Sequence, residues 1–337
     1  MYERIAATLV IALALILTNA RGGDSSPSPQ DLISKAVGQQ DIWAKDMPPM
    51  KIRAEVTLQP EHAPATTGAY QLDWISQSRW REELRFANYF RGRIGITGGY
   101  LQKSDIDYLP YFALEFDDMI HLADVASLHG KESFGKMHRR EKDGIRQICV
   151  DVVHESLVKK TLCYDDKTRG LVSIDYHAFE HRHAPYVSRV EYSDFRPYQG
   201  KLLPFETRAL HGGQSFVSFK IVEIGNPPGP DSTIYNNKSD WAFWSHCDGM
   251  NVELKLKPHI AYPPEPYLRR EAGEVAFYVV VEADGSVSHP KVIRGASEAL
   301  DQAAAYSIRQ WIYTPAVCDG KPVRSELGVL VDFWFRD

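Results

Sequence analysis

The sequence predicts an α+β protein in two parts: an N-terminal large curved antiparallel sheet, or half-barrel, with a covering helix, and a C-terminal small two-layer β-β-α-β domain. Three observations lead there. Residues 50–59 alternate without a fault, with Met50, Ile52, Ala54, Val56 and Leu58 on one side and Lys51, Arg53, Glu55, Thr57 and Gln59 on the other, the pattern of a strand with one wet face. Comparable short runs bounded by turn residues recur as far as residue 224. Between residues 274 and 335 the apolar period then changes from strand to helix and back, enough for one helix layered on a small sheet.

Length and charge narrow the function before any motif does. At 337 residues the chain is long enough for two domains, and 39 basic against 44 acidic residues leave no basic footprint for nucleic acid. The expected divisions are 1–20 as a signal peptide or short membrane anchor, 21–30 as a disordered tether, 31–225 as the half-barrel, 226–246 as a Pro/Gly/Asn-rich linker and 247–337 as the C-terminal domain.

Residues 5–17 (IAATLVIALALIL) follow Arg4 and precede Thr18-Asn19-Ala20, with small residues at the positions a signal peptidase reads. The run is short against the ~20 residues of a membrane span. It is read as a cleaved secretory signal that delivers the protein to the periplasm; an uncleaved inner-membrane anchor is the alternative. Ser28 then caps a helix with Pro29 at its first position, and Leu32, Ile33, Ala36, Val37 and Trp43 carry its apolar face as far as about Lys45. Strands follow near 69–75, 79–86, 93–97 and 99–103. A helical or irregular middle spans 108–129, and the strands resume at 145–153, 160–164, 171–177, 186–192, 205–210 and 215–224.

In the C-terminal unit, residues 274–282 (EVAFYVVVE) form a strand closed by an Asp284-Gly285 turn, and 287–294 return beside it. Ser297 is placed to cap a helix in which Leu300, Ala304, Ile308 and Trp311 recur on one face up to Pro315. Leu327, Val329, Val331, Phe333 and Phe335 then alternate along a last strand that the helix must cover. Trp311 and Tyr313 read as core.

Several motifs together carry a resemblance. Tyr262-Pro263-Pro264 precedes the first strand, Gly273-Glu274-Val275 opens it and Asp284-Gly285 turns it. Leu300-Asp301 with Ala303 and Ala304 enters the helix, residues 309–315 (RQWIYTP) close it, and Gly320-Lys321-Pro322-Val323 leads to the last strand. In this order and spacing they resemble the C-terminal domain of the TonB family. The resemblance implies a non-enzymatic periplasmic domain that engages envelope or outer-membrane proteins by adding a strand to an exposed sheet edge, roles in transport across the outer membrane included; Tyr262, Pro263 and Pro264 are read as the partner site, and the alternative is that they are only an extended lead-in to the first strand. Pro290 protects one edge of such a sheet. The ~15-residue linker reaches only about 50 Å, so the long periplasm-crossing spacer of an energy transducer has no counterpart here.

The strand order upstream, with Leu109-Pro110 and residues 200–204 (GKLLP), resembles the LolA-like fold of periplasmic lipoprotein carriers. That resemblance implies a groove for a lipid or acyl chain lined by Trp74, Trp80, Phe86 and Phe90; the alternative is that these aromatics fill the core.

An exported chain with four cysteines is expected to bridge them. Cys149 and Cys163 flank a short turn region, and Cys247 and Cys318 each precede Asp-Gly, so local pairing is the simplest connectivity. His177, His181 and His183 are the one metal-like cluster and support a metal-dependent hydrolase as a further alternative, but they read as a solvated hairpin tip. The sequence calls for no catalytic residue, metal or cofactor. Expressed in a bacterial host, the protein is expected in the periplasmic fraction with an intact mass that starts near Arg21; a full-length species held in the inner membrane would establish the anchor instead.

Overall fold

The computed structural model of the chain describes residues 27–60, 63–122, 132–154, 159–177, 189–246 and 252–334. The segment read as a signal peptide or anchor, Cys247, His181 and His183 lie outside the described residues. Among those described, no helix is long and apolar enough to cross a membrane.

Helix α1 (Pro29–Gln40) starts as its sequence requires. Ser28 Oγ accepts from the Asp31 N–H at 3.1 Å, the Asp31 carboxylate accepts from the Ser28 N–H at 3.2 Å, and Pro29 sits where no N–H is needed. The helix stops at Gln40, short of the expected Lys45. Asp41 accepts from the Trp43 N–H at 2.9 Å and turns the chain, while buried Gln40 is pinned to the Leu171 backbone by two hydrogen bonds. Trp43 therefore leaves the helix and packs edge-on against Trp74 and Trp80.

Five strands form a first antiparallel meander: β1 (Met50–Leu58), β2 (Thr66–Ser76), β3 (Arg79–Phe86), β4 (Tyr89–Ile96) and β5 (Gly99–Ser104). After α2 (Tyr111–Ile120) come β6 (Glu132–Phe134), β7 (His138–Lys142), β8 (Ile145–His154), β9 (Lys159–Asp165), β10 (Leu171–His177), β11 (Arg189–Tyr198), β12 (Lys201–His211) and β13 (Gln214–Gly225). Pairing of β1 with β13 joins the two series into one open sheet, and a bulge at Arg53/Ala54 in that pair adds to its curvature. About ten strands were legible in the periodicity, against fourteen in this sheet among the described residues. The additions are short: β7 (HRREK) has no apolar residue to reveal it, and β14 (Ala242–Ser245) comes from the segment expected as a linker.

That segment lies along the sheet instead of standing off it. Arg79 donates to the Pro230 carbonyl, Arg81 donates to the Ile234 carbonyl at 3.1 Å and stacks over Trp241, and Tyr235 is buried under Arg79. β14 then pairs with β5 at the sheet's edge.

The inward residues of both meanders pack with α1 and α2 into one core that includes Leu32, Met50, Tyr70, Phe116, Tyr164 and Phe219. Trp80 lies across Gly95 of the neighbouring strand, where a Cβ would sit 2.1 Å from its ring nitrogen, so only glycine fits. Helix α2 is ten residues long with only Asp118 exposed, because it is covered on two sides.

The C-terminal unit carries the expected strand-strand-helix-strand order. β16 (Gly273–Val281) is central, with β17 (Val287–Arg294) on one side and β21 (Ser325–Phe333) on the other. Helix α4 (Glu298–Ile308) covers one face, where Leu300, Ala304 and Ile308 meet Val275, Phe277 and Val279. The Asp284-Gly285 turn holds Gly285 at φ +85°, and a Cβ there would meet the Tyr313 carbonyl at 2.1 Å.

Two expectations change here. α4 ends at Ile308, not before Pro315, because residues 312–314 form β18 (Ile312–Thr314), which pairs with β15 (Glu253–Leu256); Trp311 is buried just beyond the helix. Ser297 occupies the N-cap position without a capping bond from its side chain, and Asp301 instead reaches back to accept from the Ala296 N–H at 2.8 Å. The short helix α3 (Pro264–Leu268) and the hairpin of β19 (Ala316–Cys318) and β20 (Lys321–Val323) complete the unit.

Cys149 and Cys163 are direct cross-strand partners on β8 and β9 and are disulfide-bonded, buried beside Val172 and Phe195. Cys318 is also disulfide-bonded. Replacing Cys149 and Cys163 together by alanine is expected to lower the unfolding free energy by about 3 kcal/mol, the loop-entropy value for this spacing, as read by urea denaturation under oxidising conditions.

Candidate functional site

Three places in the fold could act on another molecule, and α2 links two of them to the third. The first is the edge of the C-terminal sheet. β21 stays in register with β16 without a break from Gly273↔Phe333 to Val281↔Ser325, and among the described residues it pairs with no other strand. Its outer side is therefore a straight row of backbone donors and acceptors. The opposite edge is irregular: β17 slips register twice against β16, His289 sits at φ 52°, and Pro290 has no N–H to offer.

The residues expected at the partner site stand at the far end of β21. The Tyr262 ring is edge-on to Phe333 at 5.3 Å and to Tyr267 at 5.7 Å, and its hydroxyl donates to the Glu271 carbonyl. Pro263 caps α3 and Pro264 begins it. Tyr267, Leu268 and Leu330 are exposed nearby in sequence, on α3 and β21.

The second place is the concave face of the large sheet. Trp74 and Trp80 are buried there with their ring N–H groups donating to the Met47 and Gln77 carbonyls, at 3.2 and 3.0 Å. Phe86 packs on Phe112 of α2. Phe90 does not join them. The β3–β4 hairpin pairs Phe86 with Tyr89, so the next residue turns to the convex face, where Phe90 lies under Arg85. Tyr89 takes the inward position that was expected of Phe90. Among the described residues a cavity of about 20 Å³ lies beneath α1 and α2, lined by Gln40, Ile42, Met119, Ile120, Leu122 and Tyr192, among others.

Beside these aromatics the concave face holds a charge cluster that no motif announced. Arg91, Arg93 and Glu82 are buried, and Asp117 of α2 joins them: Arg91 donates to both Asp117 oxygens at 2.6 and 2.8 Å and to Glu82 at 3.3 Å, and Arg93 lies 3.2 Å from Asp117. Burial alone would raise the Asp117 carboxyl, but the two guanidinium groups outweigh it and hold the group well below the usual carboxylate range. The signal available was parity. Arg91 and Arg93 fall on the inward positions of β4, where a strand with one wet face should be apolar.

The third place is the contact between the two sheets. The face of β16 away from α4 presents Tyr278 and Val280 to Leu109 and to Trp244 of β14. A polar chain runs alongside. Arg93 donates to Gln102 at 2.7 Å, Gln102 donates to Glu326 of β21 at 3.4 Å, and the Tyr278 hydroxyl donates to Glu326 at 2.8 Å. Burial, followed by the Glu326 carboxylate, pushes the Tyr278 phenol far up, which keeps it a donor. Arg324 donates to the Phe243 carbonyl at 2.9 Å and stacks over Trp244.

Among the described residues no group of three His, Cys, Asp or Glu side chains could hold a metal ion. His177 lies with Nε2 2.7 Å from Thr161 Oγ1, which in turn contacts Asp151 at 2.6 Å.

Asp117→Asn breaks one partner out of the buried cluster and is expected to cost about 3–5 kcal/mol by denaturant titration. The pH dependence follows from the lowered carboxyl. Its stabilisation is complete above the unfolded value of about 3.9 and is lost as pH falls below that toward the folded value. The wild type should therefore lose stability steeply below about pH 4, and the variant less so over the same window.

No curated protein sequence matches the chain. Among solved structures, a LolA superfamily protein from Nitrosomonas europaea aligns at 9% identity over 63% of this chain and 99% of its own, with a TM-score of 0.43. An outer membrane lipoprotein-sorting protein domain from Vibrio parahaemolyticus aligns at 10% identity over 62% of this chain and 97% of its own, with a TM-score of 0.42. Residues 258–335, which hold α3, β16–β21 and α4, match the family model of the Gram-negative bacterial TonB protein C-terminal.

Proposed function

We propose that the protein is a non-enzymatic component of the bacterial cell envelope that captures a partner polypeptide by adding its strand to the free edge of β21. The observation that carries this reading is the unbroken nine-residue register of β21 in a domain of the TonB C-terminal type, set against the irregular, proline-bearing edge of β17. Main-chain hydrogen bonds supply affinity in such a mode, and side-chain pockets beside the edge supply choice. Tyr262, Pro263 and Pro264, with exposed Tyr267 and Leu268, are the residues placed to make that choice at the end of the strand. A periplasmic location fits both the export segment and the two disulfide-bonded cysteines of the large sheet.

A second reading is carriage of a lipid or acyl chain on the concave face. Its starting point is the mostly apolar lining of the cavity beneath α2; at about 20 Å³ that cavity has room for a water molecule, so this reading requires the helix to lift before a chain can enter. Native mass spectrometry of protein purified from a bacterial envelope tests it; a species that is always empty excludes it.

Strand addition is tested with the intact protein against peptides from periplasmic and outer-membrane proteins. A peptide that binds is expected to lose about tenfold in affinity when two alternate backbone nitrogens are methylated, and little when the intervening pair is methylated, since only one set faces β21. Equal effects of both sets, or no binding across the panel, would refute this reading. Tyr262→Ala is expected to weaken the same peptide by a similar factor.

A further inference from the structure

Besides β5 and β14, the C-terminal domain rests on α2 and the residues just before it. Tyr108 lies under Lys291, Leu109 packs on Tyr278 and Val280, Tyr111 lies under Arg294, and Leu114 faces Gly328. The other side of the same helix roofs the concave face, with Phe116 in the core and Met119 and Ile120 walling the cavity. A helix of ten residues is marginal on its own, so its place is set by what packs on its two sides. From below it is held by Asp117 on Arg91 and Arg93 and by Glu115, 2.9 Å from His211. From above it is held by the C-terminal sheet.

We propose that the C-terminal sheet is a latch on α2: while the domain is docked the groove beneath the helix is shut, and its release lets α2 lift and the concave face accept an apolar chain. The nature of the ligand rests on the carrier reading; the motion does not. The latch also involves the capturing strand. Arg324, just before β21, and Glu326, near its start, make polar contacts to β14 and β5, so a partner strand drawn along β21 loads the element that keeps α2 down.

Val280→Glu tests the latch in the full-length protein. It puts a carboxylate into the Leu109–Trp244 contact and opposite Glu326, and leaves the core facing α4, with Val279 and Val281, unchanged. Ile293→Glu approaches the same contact from β17. Whichever variant retains wild-type amide protection in β16 and α4, and so a folded C-terminal domain, is used. Small-angle scattering is expected to show the two domains separated. Hydrogen exchange in α2 should then quicken by at least about tenfold, and dansyl-undecanoic acid should bind where it does not bind the wild type. Domains that stay together in both variants, or α2 amides as protected as in the wild type after separation, would overturn the proposal. Faster exchange without uptake of the fatty acid supports the latch and removes the carrier reading.

Discussion

Arg91 and Arg93 occupy inward positions of a strand in a sheet whose other inward residues are mostly apolar, and a pair of guanidinium groups in such a place requires matching charge. Glu82 supplies part of it from the neighbouring strand. Asp117 supplies the rest, and it does so from α2, which fixes the height, rotation and direction of that helix over the sheet. A fully apolar replacement of such a cluster is often neutral in stability, whereas loss of one member is costly. The cluster therefore acts less as a source of stability than as a specification of where α2 must lie. The C-terminal domain, which rests on α2 and on Gln102 beside Arg93, inherits its position from the same four side chains.

Much of this architecture was written in periodicity. The alternation of β1, the capping residues of α1, the Asp284-Gly285 turn and the odd-numbered apolar residues of β21 each follow from one local rule, and each local preference agrees with the fold. The departures occur where a tertiary contact overrides the local signal. Trp43 continues the helical period of α1, but the Asp41 turn and the Trp74 and Trp80 rings draw it out of the helix. Trp311 likewise fits the face of α4, yet the chain leaves the helix so that residues 312–314 can pair with β15.

The candidate site was less legible, for a physical reason. Tyr262-Pro263-Pro264 could be found because prolines and aromatics at a strand lead-in stand out. The free edge could be expected from three strands and one helix, but which edge is straight depends on the register slips of β17. The burial of Arg91 and Arg93 required a reading of parity against residue type. Phe90 shows how fragile parity is: the two-residue turn after Phe86 fixes Tyr89 inward and Phe90 outward, and composition alone does not distinguish them.

The two functional readings differ most in what has to move. One face of the C-terminal sheet is covered by α4 and the other is met by Leu109, Trp244 and α2, which leaves the edge of β21, unpaired among the described residues, and exposed Leu330 beside it for a partner. A strand can add there while every buried contact stays as it is. A chain on the concave face has no such freedom. The cavity described beneath α2 measures about 20 Å³, and the helix above it is held from one side by the buried arginines and from the other by the C-terminal sheet. Nor can the domain swing away on a long tether, since the segment before it is docked along β3 and ends as strand β14, with Arg324 bound to Phe243. Capture at the edge is therefore compatible with the structure as it stands, and carriage on the concave face requires the two domains to part.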